Sequence, residues 1–204
     1  VAMYAGEFEV VEIVADGVTQ RVITTEGKRE SARYALEVSQ RVLAYHNAYF
    51  GTKYPLPKLD HVAVPNAFSG FSAMENWGCI SYIDTVLLFD PATASQASQE
   101  YVFSVIAHEM AHHWFGNLVT MSWWDNLWLN EGFASWLESK LTDALNPEWK
   151  ISLRANKAKE SAMELDAKAS THPIQQNFAS EMQAANSFDS IAYSKGQAFL
   201  RMLE

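Results

Sequence analysis

The chain is expected to adopt an α+β fold, with a mixed sheet first and a mainly helical part after it. Three observations point there. Short β-prone runs bounded by turn residues occupy roughly residues 1–92, and apolar residues at helical spacing with capping signals dominate roughly residues 93–204. No internal repeat or low-complexity tract interrupts that order.

Residues 7–14, Glu-Phe-Glu-Val-Val-Glu-Ile-Val, and 20–25, Gln-Arg-Val-Ile-Thr-Thr, flank the turn signal Asp16-Gly17 and read as a hairpin or as neighbouring strands. From Glu30 to about Phe50, Tyr34, Val38, Val42, Tyr45 and Tyr49 recur at helical spacing, with Gly51 as the stop. His61 to Val64 reads as a short strand ended by Pro65, and a Gly/Ser-containing loop follows through Met74-Glu75-Asn76. Cys79 to Ile83 and Thr85 to Phe89 are two more β-prone runs, broken by Asp90-Pro91, so a mixed sheet of four or five strands is expected.

Ser95 and Ser98 are candidate N-caps for the next helix. Tyr101, Val105, His108, His112 and Phe115 fall along one side of it, and Gly116-Asn117 can end it. A second helix is predicted from about Asn130 to Leu145, with Phe133, Trp136, Leu137, Leu141 and Leu145 facing a core. Asn146-Pro147 then ends it and caps a third helix reaching about Asp166.

With 204 residues, 49% hydrophobic and 13% aromatic, the chain can bury a core of one domain or slightly more. A net charge of −9 and a pI near 5.1 argue against a nucleic-acid partner and suit amine-bearing ligands. The single cysteine, Cys79, excludes an intrachain disulfide and Cys-rich zinc modules. It permits a reducing compartment and tilts the reading toward a cytoplasmic setting over a periplasmic or secreted one, without deciding between them. Neither a membrane span nor a signal peptide is visible. The chain opens on Val1 and closes in a helical pattern with no stop signal, so a piece cut at both ends is expected.

The chemistry concentrates in His108-Glu109-Met110-Ala111-His112. On a helix, His108 and His112 stand one turn apart on one face, where both imidazoles can reach one metal ion with Glu109 beside them. Glu131, nineteen residues after His112 in Leu129-Asn130-Glu131-Gly132-Phe133-Ala134, is a candidate third ligand. Two imidazoles and one carboxylate suit zinc, and three protein ligands leave a fourth position for water. Glu109 is then the candidate general base. His113 lies about 100° from His112 around the helix and reads as structural.

Ser72-Ala73-Met74-Glu75-Asn76-Trp77-Gly78, the His/Glu motif, Asn130-Glu131-Gly132-Phe133-Ala134 and Tyr193-Ser194-Lys195-Gly196 occur in the order seen in M1, gluzincin-type aminopeptidases, and the chain resembles that family's catalytic domain over nearly its whole length. The resemblance implies a thermolysin-like domain over residues 1–204 with one Zn2+ per chain, held by His108, His112 and Glu131. It implies removal of N-terminal residues from peptides through attack of a zinc-bound water activated by Glu109. Glu75 would hold the substrate's free α-amine, with Ala73, Met74 and Asn76 beside the bound peptide, and Tyr193 would donate a hydrogen bond to the oxyanion. Glu138, seven residues after Glu131 on the same helix face, would either hydrogen-bond a zinc-bound histidine or be a plain surface carboxylate.

Two departures bear on side-chain preference. Ser72 replaces the motif's glycine, and the loop from Pro65 to Ala73 is about two residues longer than the usual spacing. The segment Trp123-Trp124-Asp125-Asn126-Leu127-Trp128 also reverses an Asn-Asp order common in relatives. A thermolysin-like endopeptidase, a bifunctional relative that opens a lipid epoxide, and a binding module with a decayed site remain rival readings. Flanking domains of the parent chain are expected partners. The piece alone is expected to be weakly active or inactive, with Phe199, Leu200, Met202 and Leu203 left uncovered and Tyr193 mobile.

Overall fold

A computed structural model describes residues 2–65 and 72–204. It divides into two compact units, Val1–His113 and Trp114–Glu204.

In the first unit, strands β1 (Glu9–Ala15) and β2 (Val18–Thr24) form the expected hairpin. Asp16 and Gly17 both take positive φ, 53° and 78°, the combination that matches a tight two-residue turn to strand twist. After one 3-10 turn at Glu30–Ala32, helix α1 runs Arg33–Phe50 and stops at Gly51, whose φ of 62° is left-handed. Strands β3 (Lys58–Val64), β4 (Ala73–Met74) and β5 (Cys79–Ile83) complete a five-stranded mixed sheet of order β1-β2-β3-β5-β4. The pairs β2/β3 and β3/β5 are parallel, whereas the two outer pairs are antiparallel.

One face of that sheet is covered by α1. Val18, Gln20, Val22 and Thr24 alternate inward from β2 and are buried, and α1, which packs on β2 and meets it at Ser39 and Gln20, buries Ala35, Val38, Ser39, Val42 and Leu43. A polar chain runs through this layer: Ser39 Oγ donates to Gln20 Oε1 (2.6 Å) and contacts His61 Nε2 (2.8 Å), while His61 Nδ1 lies 3.0 Å from the Tyr82 hydroxyl. The opposite face carries charge, with Arg21 bonded to Glu12 and Asp60, and Lys58 to Asp60.

Two segments of this unit differ from the expectation. Ala73–Met74 is an edge strand, pairing Ala73 with Tyr82 and Met74 with Ser81, where a loop was expected. Of the run Thr85 to Phe89, residues 85–87 belong to helix α2 (Asp84–Leu87) instead of a strand. Val86 and Leu87 are both buried, and a helical turn buries adjacent side chains where a strand would turn one of them outward.

Helix α3 (Gln96–Ala111) begins at Ser95, whose Oγ accepts the Ser98 N–H, so Ser95 alone is the cap. It packs on α1 and buries Val102, Phe103, Ile106, Ala107 and Met110. The side chosen by spacing is open at its start and closes toward its end: Tyr101 is exposed, Val105, His108 and Phe115 are half-buried, and His112 is buried. The helix ends at Ala111, five residues before the predicted stop at Gly116. Gly116 and Val119 belong to a separate turn in which the Gly116 N–H donates to Val119 O.

In the second unit α4 runs Leu127–Leu145, three residues earlier than expected, after a 3-10 turn at Trp124–Asn126. Its deepest apolar positions are Leu127, Ala134, Leu137 and Leu141, while Phe133, Trp136 and Leu145 are half-buried. Asn146-Pro147 does not cap the following helix directly. A 3-10 turn at Pro147–Trp149 and a left-handed Lys150 (φ 51°) intervene before α5 (Ile151–Asp166).

Short helix α6 (Glu181–Ala184) precedes a π-helical turn at Ile191–Lys195, which runs directly into α7 (Gly196–Leu203). Helices α4 and α7 meet at glycines. A Cβ on Gly132 would lie 3.1 Å from the Gly196 backbone, and one on Gly196 would lie 3.3 Å from Gly132 Cα, so a side chain at either would push the two helices apart by a few tenths of an ångström. Asp189 holds the π-turn: its Oδ1 accepts the N–H groups of Ile191 (2.9 Å) and Ala192 (3.3 Å), and its Oδ2 lies 2.7 Å from His172 Nε2. On α7, Leu200 is buried, contrary to the expectation, whereas Phe199, Met202 and Leu203 are exposed.

Two outcomes follow from these layers. Burial pushes His46 and His61 each down to about 3, so both are neutral in the folded protein, while unfolding restores a value near 6.5. The stability this supplies is complete above about pH 6.5 and is lost as pH falls toward about 3, by up to ~1.4 kcal/mol per pH unit for each ring. His46→Phe should therefore flatten the dependence of the urea midpoint on pH between about 6.5 and 5, and an unchanged slope would contradict it. In the second unit, Asp189→Ala should cost about 0.5–2 kcal/mol. Hydrogen exchange should quicken at Ile191 to Lys195 ahead of α5, and equal protection in the parent and in Asp189→Ala would show that Asp189 does not hold the turn.

Candidate metal and peptide site

In the first unit, α3 carries His108, Glu109 and His112 on its last turn and end. The two Nε2 atoms converge to 3.1 Å, with the rings nearly perpendicular at 83°. Two nitrogens held ~2.0–2.1 Å from one tetrahedral ion stand about 3.3 Å apart, so the donor spacing fits a single zinc-sized cation. His112 is 1% exposed and Glu109 7%, whereas His108 is half-buried.

Glu75 comes to the same place from the sheet side. It follows edge strand β4 directly, and one ligating atom each of Glu75, Glu109 and His112 lies within 4.8 Å of the others. Two carboxylates beside an imidazole make a local field that favours a cation, whether a metal or an ammonium. Nearby, the turn after Glu75 is tightly tied. Asn76 N–H donates to Met74 O (2.9 Å), Cys79 N–H donates to Asn76 O (2.9 Å), and Asn76 Nδ2 donates to Ser81 Oγ (3.1 Å).

His113 is buried on the other side of α3, as its angular position predicts, and burial lowers its imidazolium to about 4. It lies against Trp77, with ring centroids 5.4 Å apart and 18° between planes, and against Tyr54 at 5.5 Å. Sequence reading did not find this aromatic group. Tyr54 sits in a Pro-bearing loop and Trp77 in a turn, and no periodicity connects either one to a helix some sixty or forty positions later.

In the second unit Glu131 is 3% exposed near the start of α4, and Asn130 Nδ2 donates to its Oε1 at 3.1 Å. Glu138 is half-buried two turns further along. Tyr193 occupies the middle of the π-turn, a helical irregularity often found at functional positions, and its N–H donates to Asp189 O. The close contact of Gly132 and Gly196 brings the Glu131 end of α4 against the segment that carries Tyr193. Ser72 and Ala73 are described, and Ile83 N–H donates to Ser72 O (2.9 Å). The greater part of the lengthened loop, residues 66–71, lies outside the described residues.

The family model described as the Peptidase family M1 domain matches residues 34–204. Aminopeptidase M1-A of Oryza sativa subsp. japonica is 43% identical over 205 residues, covering 100% of this chain and 23% of that relative. The puromycin-sensitive aminopeptidase of Caenorhabditis elegans is likewise 43% identical across the whole chain, with 21% of its own length covered. Aminopeptidase N of Acetobacter pasteurianus reaches 52% over 136 residues, which is 67% of this chain and 38% of that protein. The chain thus spans less than a quarter of the length of the first two of these curated relatives. With the four motifs in order and the model matching all but the first 33 positions, the chain belongs to peptidase family M1.

Proposed function

We propose that these 204 residues form the catalytic domain of a zinc-dependent aminopeptidase that removes N-terminal residues from peptides bearing a free α-amine. The observation that carries this reading is the convergence of His108 and His112 Nε2 at 3.1 Å, beside buried Glu109 and within the cluster that includes Glu75. The names of the relatives, aminopeptidases all, support the same class of reaction.

His108, His112 and Glu131 would hold one zinc ion per chain. Zinc bound there supplies Lewis-acid chemistry and lowers the pKa of water toward neutrality. Glu109 is buried on the same helix, so it can take a proton from the attacking water and return it to the departing amine. Glu75 pairs with the α-ammonium and thereby fixes which peptide bond meets the nucleophile, as an exopeptidase requires. The edge strand Ala73–Met74 offers main-chain groups to an extended peptide, and Asn76 steadies the turn through Ser81. Tyr193 donates to the developing oxyanion, and Glu138 orients a histidine ligand. The greater length of the relatives supports flanking parts of the full-length protein as partners of this domain, and turnover by these residues alone is expected to be weak.

Glu109→Gln in the full-length protein should keep one zinc per chain while peptide hydrolysis falls by at least about a thousandfold, because the ligands stay and the base is lost. Elemental analysis alongside steady-state kinetics reads both, and either loss of zinc or retained turnover removes Glu109 from that role. A peptide and its N-acetylated form should differ by at least about a hundredfold in kcat/KM, since only the free amine can meet Glu75. Equal cleavage of the two would indicate endopeptidase action instead.

A further inference from the structure

We propose that His113 is a positioning residue that sets the amine-binding loop against the helix bearing the general base. The inference rests on Glu75 being the amine anchor, as argued above, and it is drawn wholly within the first unit.

The ring is bonded at both nitrogens. Gly78 N–H donates to His113 Nε2 at 3.1 Å, and an N–H donor there obliges Nε2 to be the unprotonated nitrogen. Nδ1 therefore carries the hydrogen, and it faces Glu109 O at 3.3 Å. That carbonyl is available because α3 is ending: the main-chain N–H of His113 turns to Met110 O (3.2 Å), leaving the ring to meet the Glu109 carbonyl. One side chain thus joins the main chain of the base to the main chain of Gly78, three residues after Glu75.

Both ends of this bridge are held. Gly78 has φ 70°, a left-handed conformation that favours glycine, and its carbonyl accepts the Asp60 N–H (3.2 Å) and Lys58 Nζ (2.7 Å), which orients the residue. The bonds Asn76 N–H to Met74 O and Cys79 N–H to Asn76 O make 74–79 one tied turn, so a displacement at Gly78 carries to Glu75. Trp77 lies over the ring and His113 is 1% exposed, which keeps water from substituting for either bond. Loss of the bridge should shift where the substrate's amine sits and leave the zinc ligands in register on α3.

The test uses the zinc-loaded full-length protein and a free aminoacyl-coumarin substrate. His113→Phe keeps the ring between Trp77 and Tyr54 but loses both bonds, and it should raise KM on the order of tenfold while kcat changes less than about threefold. His113→Gln retains one donor and one acceptor and should restore KM to within about threefold of the parent. Should the Phe variant fail to fold, His113→Asn, too short to span both partners, serves in its place. The same change is then made in a Glu75→Gln background, where it should add less than about twofold to KM, because its effect runs through Glu75. Full additivity, or an unchanged KM in His113→Phe or His113→Asn, overturns the positioning role while leaving the Glu75 anchor intact. If Glu75→Gln alone leaves KM unchanged, the anchor itself is wrong and this inference falls with it.

Discussion

Burial of one side of α3 against α1 governs where the chemistry can occur. Phe103, Ile106 and Met110 are almost completely enclosed, and each contributes about 1.5–3 kcal/mol relative to exposure. With that side committed, the helix cannot rotate, and His108 and His112, one turn apart, must point together toward the sheet edge. The 3.1 Å approach of their Nε2 atoms is a consequence of this rotational lock together with the ordinary pitch of an α-helix. Glu109 shares the helix and is placed by the same lock.

The sheet then supplies the opposite wall. Strand β4 is only two residues long, yet its pairing with β5 ends immediately before Glu75 and aims that carboxylate at the α3 cluster. The layer behind is held by neutral histidines. His61 is tied into the Gln20, Ser39 and Tyr82 network, and His113 is tied to Gly78 and Glu109. Such rings can bridge two main-chain or side-chain groups without bringing a buried charge, provided that they stay unprotonated. The same arrangement makes the unit acid-labile, because unfolding lets each ring take up a proton.

The second unit meets a different constraint. Gly132 and Gly196 let α4 and α7 approach at backbone distance, and the one extra residue of the π-turn before α7 reorients Tyr193 relative to a regular helix. Asp189, bonded to two N–H groups of that turn and to His172, compensates for the poorer hydrogen-bond geometry. The result is a tyrosine on a locally irregular but anchored segment, next to the first turns of α4, where Glu131 lies.

The amino-acid sequence determined the elements and their chemistry wherever the signal was local. The hairpin at Asp16-Gly17, α1 with its Gly51 stop, the Ser95 cap and the i, i+4 histidines are all set by residues within a few positions of one another. The motif order was sufficient to identify the family, and the order of β-prone runs followed by helical runs was sufficient to predict an α+β chain. Long-range packing decided the rest. Thr85 to Leu87 became helical because two adjacent apolar side chains both had to be buried. Tyr101 and Val105 were turned outward because α1 claimed the other side of α3. Ala73–Met74 became a strand because β5 offered a partner. The joining of His113 to Gly78 across 35 positions could not be read from periodicity, since a hydrogen bond between a helix end and a distant turn leaves no repeating pattern along the chain and exists only once the sheet and helix have packed.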